Sequence, residues 1–125
     1  MNKYELLFDE IFKQTGAQSL RWRQVRRSAN SDLIFNPHLV FRQFATDFVR
    51  GGNHFKLFLV EKKYDDPEHD FLYEKYAPEI LIVDDDGELV TTLTDSVIER
   101  AHLVRLVDMV ETRSDKASKL FDSAA

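Results

Sequence analysis

Two carboxylates and a lysine could together form a divalent-cation site. Asp47 lies fourteen residues before Glu61, and Lys63 follows at the end of the apolar run "FLVEKK". Two carboxylates so placed can hold Mg²⁺, while the lysine orients or activates a water. That chemistry requires Asp47 to sit on a strand beside the one that carries Glu61. A second group is basic: Arg21, Arg23, Arg26 and Arg27 flank Trp22. Four permanent cations and an indole can bind phosphates and stack a base, or anchor a protein interface, where Trp and Arg carry much of the binding energy. Each group also has a plainer reading. Asp47 can be a surface-helix residue near a charged strand end. The arginines can line a solvated strand that pairs with acidic residues elsewhere, at about 0–1 kcal/mol per exposed pair.

Other chemistry is sparse. The chain has no cysteine, which excludes disulfides, thiolate nucleophiles and Cys-ligated metal. The acidic runs Asp65-Asp66-Glu68-Asp70 and Asp84-Asp85-Asp86 lack the glycine placement and terminal Glu of an EF-hand loop. His38, His54, His69 and His102 form no pair with metal-ligand spacing. The four glycines, at 16, 51, 52 and 87, read as caps and turns and not as a phosphate loop. No metal and no cofactor is expected.

Composition sets the class. The chain has 125 residues, 43% of them hydrophobic, with ten Phe and four Tyr. That is enough for one core-forming domain over residues 1–113, with 114–125 as a frayed or helical tail. No apolar run approaches the roughly 20 residues of a membrane span, and the acidic, amphipathic start does not resemble a signal peptide. A cytoplasmic protein without membrane contact is the expectation. The net charge of −5 is uneven: residues 1–50 carry 8 Lys and Arg against 5 Asp and Glu, and the remainder 9 against 17. Such polarity steers partners or supports head-to-tail self-association.

The elements that must position these side chains follow from periodicity and caps. Residues 3–15 read as a helix capped by Asn2, with Tyr4, Leu7, Phe8, Ile11 and Phe12 on one stripe. Residues 19–28 alternate as a strand with one wet face. Residues 37–50 place Val40, Phe41, Phe44, Ala45, Phe48 and Val49 on one helical face, with Asn36 as cap, Pro37 first in the helix and Gly51 past its end. The alternative is a strand pairing with 55–62 across Gly51-Gly52; three agreeing signals favour the helix. Residues 55–62 and 79–83 read as strands. Between them Asp66-Pro67 starts a short helix packed through Phe71, Leu72 and Tyr76. Asp86-Gly87 supplies a hairpin turn into an edge strand. Asp95 or Ser96 then caps a final helix.

This order, with "YEKYAPEILIVDDDGELV" as a passage through a proline into a hairpin, resembles the thioredoxin-like fold: an α/β mixed sheet flanked by helices, with an extra N-terminal helix. Pro78 corresponds to that family's cis proline. The family's Cys-x-x-Cys is missing from "SANSDLIFNPHLVF", so the resemblance implies a redox-inactive member. The expected function is a non-enzymatic protein-binding, adaptor or assembly module. Its expected partner is a protein, with nucleic acid or a second copy as further options and the Arg21–Arg27 cluster around Trp22 as contact surface. The alternative is a small Mg²⁺-dependent nuclease using Asp47, Glu61 and Lys63, whose pattern resembles the metal site of restriction-like nucleases.

Overall fold

The computed structural model describes residues 1–25, 40–65, 74–114 and 120; at 40, 41, 62–65 and 74–77 it describes the backbone alone. Helix α1 spans Lys3–Gly16, and strands β1 to β5 span Arg23–Val25, Val40–Arg50, Asn53–Asp65, Glu74–Asp84 and Leu89–Leu93. Helix α2 spans Arg100–Arg113. The strands form one sheet in the order β1-β2-β3-β4-β5, and every pairing is antiparallel. The chain is therefore α/β in content, but the expected mixed sheet is replaced among the described residues by an antiparallel meander.

The largest correction is at 37–50. Residues 40–50 are strand β2, not a helix, and 37–39 lie outside the described residues. Gly51 and Gly52 have φ of 61° and 78°. Positive φ at both central residues defines the two-residue hairpin turn whose twist matches that of its strands. Arg50 therefore pairs with Asn53, and the ladder runs from there through Phe44–Leu59 to Arg42–Glu61. The expected helix at 66–76 falls partly outside the described residues, and its last part, from Glu74, is strand β4. Pro78 sits within β4 opposite Glu61. No described peptide bond is cis, so the family's cis proline has no counterpart here. Strand β5 pairs only with Ile80–Val83 of β4. Pro78 thus lies where β4 has no described neighbour on that side, which suits a residue without an N–H.

The pleat sorts side chains onto two faces. Phe44 and Phe48 of β2, Leu57 and Leu59 of β3, Ile80 and Ile82 of β4 and Leu93 of β5 share the main core with Phe8 and Ile11 of α1 and Leu103, Leu106, Val107 and Val110 of α2. Both helices thus cover one face. The other face holds a smaller cluster of Val60, Leu81 and Phe58. Helix α1 starts as expected: the Asn2 side chain accepts from the Tyr4 and Glu5 amides at 3.0 and 2.9 Å. Its far end is held by Arg113 of α2, whose Nη1 donates to the Gly16 carbonyl at 2.7 Å. Helix α2 starts later than expected. Asp95–Val97 form a turn, and the N-cap Glu99 makes no side-chain capping bond.

Trp22 is a core residue, 3% exposed. Its Nε1 donates to Thr15 Oγ1 at 3.0 Å, and that hydroxyl donates to the Ile11 carbonyl at 2.8 Å. The single threonine hydroxyl therefore joins the chain leaving α1 to the last turns of α1. Replacing Thr15 by valine leaves the buried indole N–H without an acceptor. The expected loss is about 1–3 kcal/mol, read as a lower urea midpoint at unchanged slope. A midpoint equal to that of the wild type would show that the indole finds another acceptor.

Candidate functional site

The charged groups drawn most deeply into the fold meet at one end of the sheet. Arg42 and Glu61 stand opposite each other on β2 and β3, beside an irregularity that places Phe41 as an extra residue in β2. Arg42 Nε donates to Glu61 Oε1 at 2.8 Å. Its other nitrogens reach Glu111 of α2, Nη1 to Oε1 and Nη2 to Oε2, each at 3.0 Å. One guanidinium thus joins two strands to a helix through a planar fork that suits a bidentate carboxylate. The Glu61 side chain is 5% exposed and that of Glu111 is 49% exposed. Burial pushes the Glu61 carboxyl above its usual 4.5, and outweighs the pull of Arg42. Glu111 is instead held below the usual range by its hydrogen bond from Arg42. The guanidinium is raised in turn, chiefly by Glu111.

This geometry separates the residues of the nuclease alternative. Asp47 pairs with Lys56 and Glu61 with Arg42, so Asp47 and Glu61 lie five positions apart along the ladder, about 17 Å at ~3.4 Å per residue. They also point to opposite faces. Glu61 shares the helix-covered face with Leu57 and Leu59, whereas Asp47 alternates with Phe48 and is exposed. Becoming a strand did not bring Asp47 to Glu61, because the register carries it to the far end of the hairpin. Lys63 is placed by its backbone on β3, opposite Tyr76. Among the described residues no three His, Asp or Glu side chains gather closely enough to hold a metal ion.

The basic cluster is divided as well. Arg21 and Arg23 are exposed, Trp22 is buried between them, and Arg26 and Arg27 lie outside the described residues. Trp22 cannot be an exposed anchor, because the alternation that wets Arg21 and Arg23 turns the indole into the core. Residue type suggested a binding side chain; its position just ahead of β1, with Thr15 as acceptor, assigns it to packing.

Two surface regions among the described residues lie away from these groups. Between α1 and the start of α2 a groove of about 350 Å³ has Phe8, Phe12, Val97 and Ile98 along it and Glu5, Asp9, Glu99, His102 and Arg105 around it. The His102 ring stacks on Phe8 with centroids 6.4 Å apart, and the Arg105 guanidinium lies over Phe12 at 5.6 Å. At the opposite hairpin end, Asp47, Asp84 and Asp85 border a shallow cleft with Phe55, Phe58 and Val83. Next to it β5 is an outer strand of the sheet among the described residues, with Leu89 46% and Val90 53% exposed. The edge position of β5 matches the expectation from sequence, where no local signal connects that edge with binding.

No protein family, curated protein or solved structure matches this chain.

The two carboxylates on Arg42 respond to pH with opposite sign. The fold favours protonated Glu61, so its contribution is present below pH 4.5 and is lost as pH rises through its raised value. It favours ionised Glu111, so that contribution is present above pH 4.5 and is lost as pH falls through its lowered value. Glu61→Gln, which keeps an acceptor for Arg42, is expected to be at least as stable as the wild type at pH 7, with the difference closing near pH 4. Glu111→Gln is expected to be less stable at pH 7, by no more than about 1 kcal/mol for so exposed a pair. Arg42→Ala leaves Glu61 buried and unpaired and should cost about 3 kcal/mol. Urea midpoints between pH 4 and 8 check all three. Marked destabilisation by Glu61→Gln at pH 7 would contradict the assigned direction.

Proposed function

We propose that this chain is a non-enzymatic protein-binding or assembly module that receives a partner along the edge of β5. The observation that supports the reading is the character of that edge. Natural sheets guard their edges with lysine, proline, inward charge, shortness or a bulge. Strand β5, "LVTTL", has no charged residue and no proline, and two of its apolar side chains face solvent. Its guards are its length and one bulge, where Val90 is the extra residue between Thr91 and Leu89. The opposite edge differs: β1 begins with the exposed Arg23, and the exposed Arg21 precedes it. An added strand gains affinity from main-chain hydrogen bonds and specificity from alternate side chains. The proposal needs neither the thioredoxin-like resemblance, which rested on element order and Pro78, nor the Trp22 cluster as contact surface. The nuclease alternative gains no support, since Asp47 and Glu61 face apart.

Val90 lies outside the β4 register, so proline there spares the paired residues of β5 while breaking the regularity an added strand needs. Immobilised wild-type protein should retain a protein partner from an extract of the source cell. A Val90→Pro variant with an unchanged circular dichroism spectrum should retain it at least tenfold less. Equal retention by the variant would remove β5 as the contact. Recovery of nucleic acid alone would favour a different class of function.

A further inference from the structure

If β5 receives a strand, its surroundings select the chemistry of that strand; this inference rests on the reading of β5 as the docking edge. We infer that the partner presents an extended segment with Lys or Arg at its C-terminal end, and that it docks antiparallel to β5.

Charge at the two ends of β5 carries the argument. The turn that leads into it, Asp84–Glu88, holds four carboxylates. Asp84 is occupied within the turn, where its Oδ1 accepts from the Asp86 and Glu88 amides at 2.9 Å each. Asp85, Asp86 and Glu88 are exposed, and the adjoining cleft adds the exposed Asp47. Lys56 and His54 are the nearest basic groups along that cleft. The start of β5 is therefore an acidic surface joined directly to the apolar Leu89 and Val90. Antiparallel pairing is slightly the more stable mode, and it brings the C-terminal end of an incoming segment to the start of β5. Cationic side chains at that end meet Asp85, Asp86 and Glu88, while residues before them pair with Thr91–Leu93.

A second copy of β5 does not suit the same edge. Paired antiparallel, it sets the acidic turn of each copy beside Asp95 of the other, since Asp95 follows β5 closely and is exposed. Paired parallel, it brings the two acidic turns together. Like charges are juxtaposed in both modes, which opposes association.

The test uses the full ¹⁵N-labelled chain and synthetic peptides at low salt. The first is Val-Thr-Val-Thr-Val-Lys-Arg. The second moves Lys-Arg to the N-terminal end, the third replaces Lys-Arg by Ser-Ser, and the fourth is the first with alternate backbone nitrogens methylated. The expected result is amide shift changes at Leu89–Leu93, with the first peptide at least tenfold tighter than the second and third. Methylation should abolish binding, because it removes the donors of the new ladder. The advantage of the first peptide should shrink at high salt, since exposed charges are screened within about 8 Å at physiological ionic strength. It should shrink also in Asp86→Asn/Glu88→Gln, which leaves the ladder intact. Equal affinity for the first three peptides would overturn the basic, antiparallel partner while leaving β5 as a docking edge. Failure of every peptide to perturb β5 would overturn both. Concentration-dependent dimerisation through β5 amides, seen by sedimentation and line broadening, would assign the edge to a second copy instead.

Discussion

The two-residue turn at Gly51-Gly52 decides more of this molecule than any other local feature. With both φ values positive, the chain reverses in the tightest way available to a hairpin, and Arg50 is paired with Asn53. The further pairs of the β2–β3 ladder, as far as Arg42 and Glu61, follow from that first one. Because the pleat has a period of two, the turn also decides which side chains lie beneath the helices. Phe44, Phe48, Leu57 and Leu59 go to the helix-covered face. A slip by one residue would exchange them for Asp47 and Lys56. The burial of two phenylalanines against the burial of two charges makes the register strongly specified.

The same register explains why the polar residues divide as they do. On the helix-covered face it sets Arg42 opposite Glu61, beneath Glu111 of α2. A buried carboxylate is costly without a partner, and here one guanidinium serves it and a second carboxylate together. The interaction orients α2 across the sheet as much as it stabilises it, because the fork fixes direction. Beyond it, Arg113 holds the end of α1, and the Trp22–Thr15 bond holds the chain that leaves α1. The helices are thus tied to the sheet and to each other by directional contacts around an apolar core, among them the ion pair of Arg50 in β2 with Glu10 of α1 at 2.9 Å. The carboxylates of the Asp84–Glu88 turn and the β5 edge are not part of these contacts.

Several features were legible in the residues themselves. The Asn2 cap and stripe of α1, the apolar strands around 55–62 and 79–83, the Asp86-Gly87 turn and the wet-and-dry alternation around Trp22 all follow from local chemistry. Each depends on neighbours within a few positions. The reading of 37–50 failed for a specific reason. Phe44 and Phe48 are four residues apart, a spacing that falls on one face of a helix and equally on one face of a strand. Thr46 between them, which should betray a strand by being apolar, is polar yet buried, because its hydroxyl donates to the Arg21 carbonyl at 2.9 Å. Gln43 and Ala45 are buried on the other face, so β2 shows no clean alternation. Local cap signals then outweighed a hairpin turn that was equally visible at Gly51-Gly52.

The candidate site was less legible than the fold. From sequence alone Glu61 was a carboxylate near a lysine, Trp22 an indole among arginines, and Asp47 a possible third member of a metal set. Chemical type, composition and the absence of sulfur were determined by the sequence, as were the caps and turns that need only adjacent residues. Which side chains meet was decided by the tertiary structure alone. Glu61 finds its partner in Arg42, 19 positions away along the chain, and Arg42 reaches on to Glu111, 69 positions from itself, while Asp47 is carried to the far end of the same hairpin. Contact between distant residues depends on strand register and on which face a helix covers. Both are set by the burial of the whole core, which no short stretch of residues contains.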